Sequence, residues 1–169
     1  MALVVPAQGK IVSHRTLTLR QFAQLMAFNA HFIPEQENKL VQTATLAIHR
    51  LLSEDTAVDT GEARSNWIVT IGGPWPSAVP PFSPGEHLGK GERANLEAVQ
   101  ALAAAVVTQR RYSEIPVYIT NNADHIGLLN EGVVELRPEN APINPAFVEN
   151  AIIDGLNDQG VRAVQFWYP

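Results

Sequence analysis

Three charged side chains lie close enough in the chain to act together: Asp59, Glu62 and Arg64, within Val58-Asp59-Thr60-Gly61-Glu62-Ala63-Arg64-Ser65-Asn66-Trp67. Asp59 and Glu62 could serve as the paired carboxylates of a small hydrolase, with Arg64 beside them. The same residues also build a rigid connector. Asp59 or Thr60 can cap a short helical turn, Glu62 three residues after Asp59 completes a box-like arrangement, and Gly61 relaxes the backbone. Arg64 can return a fork of donors to Asp59 or Glu62, and Trp67 anchors the corner in apolar surroundings. We prefer this second reading, because an arginine so placed neutralises the pair that hydrolysis would need.

Other chemistry finds little support. The histidines at 14, 31, 49, 87 and 125 show no metal-like spacing and no His-Glu-x-x-His pattern. Asp124-His125 is an acid–histidine neighbour pair, but adjacent residues on a helix do not face each other. Gly85-Glu86-His87-Leu88-Gly89-Lys90-Gly91 has three residues between its first glycines where a phosphate loop needs four, and Gly91 where the loop needs Ser or Thr. The absence of cysteine removes disulfides, thiolate nucleophiles and cysteine zinc sites together. No cofactor is expected.

Composition narrows the classes further. A chain of 169 residues with 46% hydrophobic content suits a single domain with a real core. Formal charge is −5, and the one adjacent basic pair is Arg110-Arg111, so no basic stripe is available to neutralise a run of phosphates. Specific nucleic-acid binding is not expected. The first residues carry no basic leader or signal-length apolar core, and Ala101 to Val107 is far too short to span a bilayer, which predicts a soluble protein without an export address or a membrane role.

The elements that must position these residues follow from periodicity. Residues 1–16 lack helical spacing and read as an extended arm. Leu17 to Ala30 predicts a short helix that Pro34 ends or kinks, and Pro34 to about Ser53 a second one. On that second helix Leu40, Ala44, Ala47, Ile48, Leu51 and Leu52 form the apolar face, leaving Asn38, Gln42, Thr45 and His49 on the solvated or interface side. Residues 67–71 and 115–119 are β-branched runs with strand character, with Pro116 at a strand start or edge. Glu92 to Gln109 is the clearest helix. Asp124 is expected to cap a short helix that stops before Gly132, and Asn144-Pro145 to start one that buries Phe147, Val148, Ala151, Ile152 and Leu156 and stops at Gly160.

Between 72 and 91, five prolines and five glycines crowd a segment that also holds Trp75 and Phe82. Loops of this length without regular structure are usually functional or flexible, and two large aromatic rings favour docking on a partner subunit. The tail at 161–169 carries Phe166, Trp167 and Tyr168 and reads as a strand or an adhesive end.

Three stretches in order resemble the neck and tail-completion proteins of tailed double-stranded DNA bacteriophages, the group to which minor tail protein Z of lambda is related. They are Val58-Asp59-Thr60-Gly61 through Arg64 to Asn66-Trp67; Val117-Tyr118-Ile119-Thr120-Asn121-Asn122-Ala123 leading to Leu129-Asn130-Glu131-Gly132; and Ala141-Pro142 leading to Phe147-Val148 and Ala151. The resemblance covers about residues 35–155. Glu62 stands where a basic or small residue is commoner, Asp124-His125 where the family often has a proline–tyrosine step, and the proline-rich loop is longer than expected.

The resemblance implies a structural virion protein without enzymatic activity, forming a homo-oligomeric ring where head meets tail, with six-fold symmetry favoured over twelve-fold. Its neighbours would be connector, tail-terminator or tail-tube proteins, DNA would pass through the ring, and assembly would take place in the host cytoplasm. Subunits in such a ring meet head to tail. The competing classes are a small cytoplasmic hydrolase using Asp59, Glu62 and Arg64, and an adaptor that binds a protein through the loop at 72–91. The expected fold is α+β: one domain with a small, mostly antiparallel sheet packed against three main helices, an extended N-terminal arm, a long Pro/Gly-rich loop and a C-terminal tail. Val4, Val5, Trp75, Phe82, Phe166, Trp167 and Tyr168 are the expected interface anchors, and Asp59, Thr60, Gly61, Arg64 and Trp67 the structural corner.

Overall fold

The computed structural model describes residues 19–58, 60–82, 92–111, 115–133 and 145–161. Its elements in chain order are α1 (Leu19–Asp55), a single helical turn α2 (Glu62–Ser65), β1 (Ile68–Ile71), α3 (Glu92–Val107), β2 (Val117–Thr120), α4 (Ile126–Glu131) and α5 (Phe147–Asn157). The two strands pair antiparallel, with Ile68 opposite Thr120 and Ile71 opposite Val117. Beyond the last pair, the Gly72 N–H donates to the Pro116 carbonyl at 2.9 Å. The α+β architecture expected from the sequence is therefore present, with Pro116 just ahead of its strand.

The two helices expected on either side of Pro34 are one. α1 runs 37 residues with Pro34 inside it. Proline withholds the N–H that would bond the carbonyl four residues back, here that of Ala30. Both residues lie on the exposed part of the helix, so water can take the place of the missing donor.

α1 buries Ala44 and Leu52 as expected, but a polar set beside them, Thr45, His49 and Ser53, is also nearly inaccessible, whereas Leu40, placed on the buried face by its spacing, is 42% exposed. The reason is that α1 lies between two helices. Its apolar flank faces α5, where Ile48 meets Gly155. Its polar flank faces the C-terminal end of α3, whose last carbonyls have no partner within their own helix. The Asn38 side-chain amide donates to the Arg110 carbonyl at 3.1 Å, and that of Gln42 to the carbonyls of Val107 at 3.2 Å and Arg110 at 3.0 Å. Polar residues that read as a wet surface are donors for a neighbouring element.

The main core joins Leu52, Trp67, Val99, Leu129, Phe147 and Ala151, and a second cluster of Val69, Ala103 and Val107 lies between α3 and the sheet. On α5 the fully buried positions are Phe147, Ala151 and Gly155, four residues apart, while Ile152, expected inside, is 41% exposed. That small-residue edge lets the backbones of α1 and α5 approach closely.

The turns that begin α4 and α5 are held by side chains that lie outside those helices or in another one. Asp124 does not cap α4; the preceding turn is held by Asn121, whose Oδ1 accepts from the Ala123 N–H at 3.0 Å. Asn144, the expected cap of α5, lies outside the described residues. α5 starts after Ala146, at φ 59°, and is capped by Asn130, whose Oδ1 accepts from the Val148 N–H at 2.9 Å. Gly132 and Gly160 take the left-handed conformation that ends α4 and the turn after α5.

Candidate functional site: the polar corner and the loop it holds

At the corner, Ala63, Arg64, Ser65, Asn66 and Trp67 are buried, while Thr60 is exposed and Glu62 half-buried. Gly61, at φ 86°, occupies the position before α2 and has no side chain of its own to cap it. The turn starts one residue later than Thr60, and the left-handed backbone at that position favours glycine. Thr60 contributes through its hydroxyl, which accepts from the Glu62 N–H at 3.3 Å. Asp59 lies outside the described residues. Arg64 is 3% exposed and turns inward, donating through Nη2 to the Thr56 carbonyl at 3.2 Å.

Trp67 closes the joint from the other side. Its ring stands edge-on to Phe147 with centroids 6.4 Å apart, and its Nε1–H donates to Thr56 Oγ1 at 2.7 Å. The Thr56 hydroxyl in turn donates to the Leu52 carbonyl at 2.6 Å, so one threonine ties the end of α1 to the corner. The Trp67 carbonyl accepts from His49 at 3.0 Å. Because a carbonyl can only accept, His49 Nε2 carries the proton. His49 is thus a buried strut between α1 and the corner and not the solvated residue its helical position suggested.

Burial holds the His49 imidazole below its ordinary pKa, against the smaller opposing effect of its bond to Trp67. The unfolded chain takes up that proton near pH 6.5, the folded chain only at lower pH. The stability owed to neutral His49 is therefore full above about pH 6.5 and lost as pH falls through the folded value, by at most about 1.4 kcal/mol per pH unit. Urea titrations of wild type and His49→Gln at a series of pH values check this. Wild type should weaken more steeply below about pH 6.5 than the variant; parallel curves would remove His49 from the acid response.

From this joint, side-chain amides and a hydroxyl reach out to the proline-rich loop. Asn66 Oδ1 accepts from the Val79 N–H and its Nδ2 donates to the Val79 carbonyl, both at 2.8 Å. Ser65 Oγ accepts from the Phe82 N–H at 3.1 Å and from the Asn95 amide at 2.8 Å. Asn122 Nδ2 donates to the carbonyls of Trp75 at 2.9 Å and Ser77 at 3.3 Å. Residues 72–82, expected to dock on a partner, are therefore laid against their own domain through the backbone. Their two large rings remain outside, Trp75 40% and Phe82 43% exposed. The other expected anchors, Val4, Val5, Phe166, Trp167 and Tyr168, lie outside the described residues, as do residues 83–91.

Sequence reasoning missed Asn66, Asn95, Asn121 and Asn122 as organisers; an asparagine-rich set flanking strands and turns was the available signal. Buried Ser65 has its hydroxyl committed to Asn95 and Phe82. Among the described residues no group of three His, Asp or Glu side chains could hold a metal ion, and no described helix is long and apolar enough to cross a membrane. On the far side of the body, Arg50 pairs with Glu54 at 3.0 Å and approaches Asp158 at 3.8 Å. Asp55 has its pKa raised there by desolvation and by Glu54 and Asp154. No protein-family model, curated protein or solved structure matches this chain.

Proposed function

We propose that this chain is a structural subunit of the neck of a tailed double-stranded DNA phage, a head–tail joining or tail-completion protein that assembles into a ring. The observation that carries the reading is convergence. The three stretches that resemble such proteins are separate in sequence, yet their described parts pack as one unit. The Asn121 amide donates to the Ala63 carbonyl at 2.7 Å, Asn130 caps α5, and Trp67, Leu129, Phe147 and Ala151 share one core cluster. A resemblance confined to residues that build a common joint concerns the fold's frame and not scattered surface positions.

A second support is the loop at 72–82, whose backbone is fixed to the domain while Trp75 and Phe82 face outward. Aromatic anchors presented on a fixed backbone lose little entropy on binding. In the proposed ring, six-fold in preference to twelve-fold, they would meet the next subunit or a neighbouring connector, tail-terminator or tail-tube protein.

Trp75→Ala is the test. It should leave the melting temperature of the isolated chain close to wild type and weaken an assembly step by about 2 kcal/mol. Electron microscopy of particles containing the chain, counting copies around the axis, reads the outcome. Normal rings at wild-type yield would exclude Trp75 as an anchor, and particles lacking the chain at the head–tail junction would refute the assignment.

A further inference from the structure

Among the described residues, the N-terminal half of α1 carries side chains that no other element covers. Among the described residues, the first hydrogen bond from α1 to another element is made by Asn38, and every described side chain from Arg20 to Glu37 is exposed. Met26 is 51% exposed and Ile33 59%. Together with Ala23 and Ala30 they recur at intervals of three and four, which places all four on one stripe of the helix. From Gln21 to Pro34 there is no Asp, Glu, Lys or Arg.

We propose that this segment of α1 pairs antiparallel with the same segment of a second copy of the chain. Three features select that occupant. The first is size. With the two-fold axis near residue 28, Met26 of one helix faces Ala30 of the other, and Ile33 faces Ala23, so each large side chain meets a small one and the axes can approach to about 8 Å. A parallel, in-register pair would stack large on large and leave gaps between alanines. The second feature is charge: Glu37 ends the stripe, and antiparallel pairing brings it beside Arg20 of the other copy, where parallel pairing would set Glu37 against Glu37. The third is length. The segment from Leu19 to Glu37 spans about 28 Å at the helical rise, and it ends where α1 enters its own body at Asn38, so two such segments overlap fully before the bodies meet.

This contact is isologous and closes at two copies, so it differs from the head-to-tail contact of a ring and does not rest on the neck assignment. It belongs to the free subunit. Light scattering on the purified chain at micromolar concentration should give the mass of two chains. Ile33→Glu should reduce that to one chain while leaving the circular dichroism and melting of the body unchanged, since Ile33 touches solvent.

The cysteine-free sequence allows the orientation to be read directly. Chains carrying Ala23→Cys, mixed with chains carrying Ile33→Cys, should form the mixed disulfide on oxidation, because only antiparallel pairing brings those positions within bonding distance. A one-chain mass for wild type overturns the proposal, as does a mass that Ile33→Glu leaves unchanged, or a preference of Ala23→Cys for itself.

Discussion

Gly155→Ala should destabilise the fold by about 1 to 3 kcal/mol, although alanine is the better helix former by roughly 1 kcal/mol. A Cβ at 155 would lie 2.6 Å from Ile48 Cγ1, 2.8 Å from the Ile48 nitrogen and 2.9 Å from its Cα. The side-chain atom could rotate away, but the two backbone atoms cannot move unless α1 and α5 separate. That separation would open the core around Ala151 and Phe147, so the steric cost exceeds the gain in propensity. The midpoint of urea unfolding should fall, and Gly155→Ala combined with Ile48→Ala should not recover it. A single variant as stable as wild type would show that the helices can part freely.

Trp67→Ala should cost more, about 3 to 5 kcal/mol. It removes the ring that packs against Phe147 and also strips the Thr56 hydroxyl of its indole donor at 2.7 Å. Trp67→Phe separates these effects. It keeps an aromatic ring in the cluster but loses the donor, and about 1 to 2 kcal/mol should go with it. Chemical denaturation of the three proteins decides the matter. If the two variants were equally destabilised, the hydrogen bond rather than the packing would hold the corner.

Both predictions rest on the joint between α1, the corner and α5, and only part of that joint was legible in the sequence. The strands, α3, the helix-ending glycines and the anchoring role of Trp67 follow from local rules of spacing, β-branching and backbone freedom, although β2 begins at Val117 where the spacing put Ile115 and α3 ends at Val107 where it put Gln109. What escaped was every interaction whose partner is remote. Asn38 and Gln42 read as solvated or interface residues because periodicity sorts residues by polarity, and it cannot know that the carbonyls of Val107 and Arg110 will lie beside them where α3 ends. His49 was misjudged for the same reason. Asn130 caps a helix beginning 17 residues after it, beyond the reach of any local capping pattern. Gly155 gave no signal at all, since a glycine in a helix looks like a weakness until a second helix is laid against it.

The corner shows how the same limit acts on a functional reading. Asp59, Glu62 and Arg64 suggested a shared task because they are close in sequence. Arg64 reaches into the domain to the Thr56 carbonyl, Glu62 stays partly exposed on the turn, and Asp59 lies outside the described residues. What the corner does hold is the loop, through residues whose individual types suggest no function.

Asn66 meets Val79 as a neighbouring strand would, offering an acceptor to its N–H and a donor to its carbonyl. That two-way match leaves the position almost no alternatives. Aspartate presents two acceptors and would set one against a carbonyl, glutamine overshoots by a methylene, and leucine leaves both backbone groups of Val79 empty. Ser65 and Asn122 hold the loop at Phe82, Trp75 and Ser77, but its course at Val79 is written in the choice of one amide. Descendants of this chain can therefore remodel the loop's outer surface around Val79 as long as residue 66 remains asparagine.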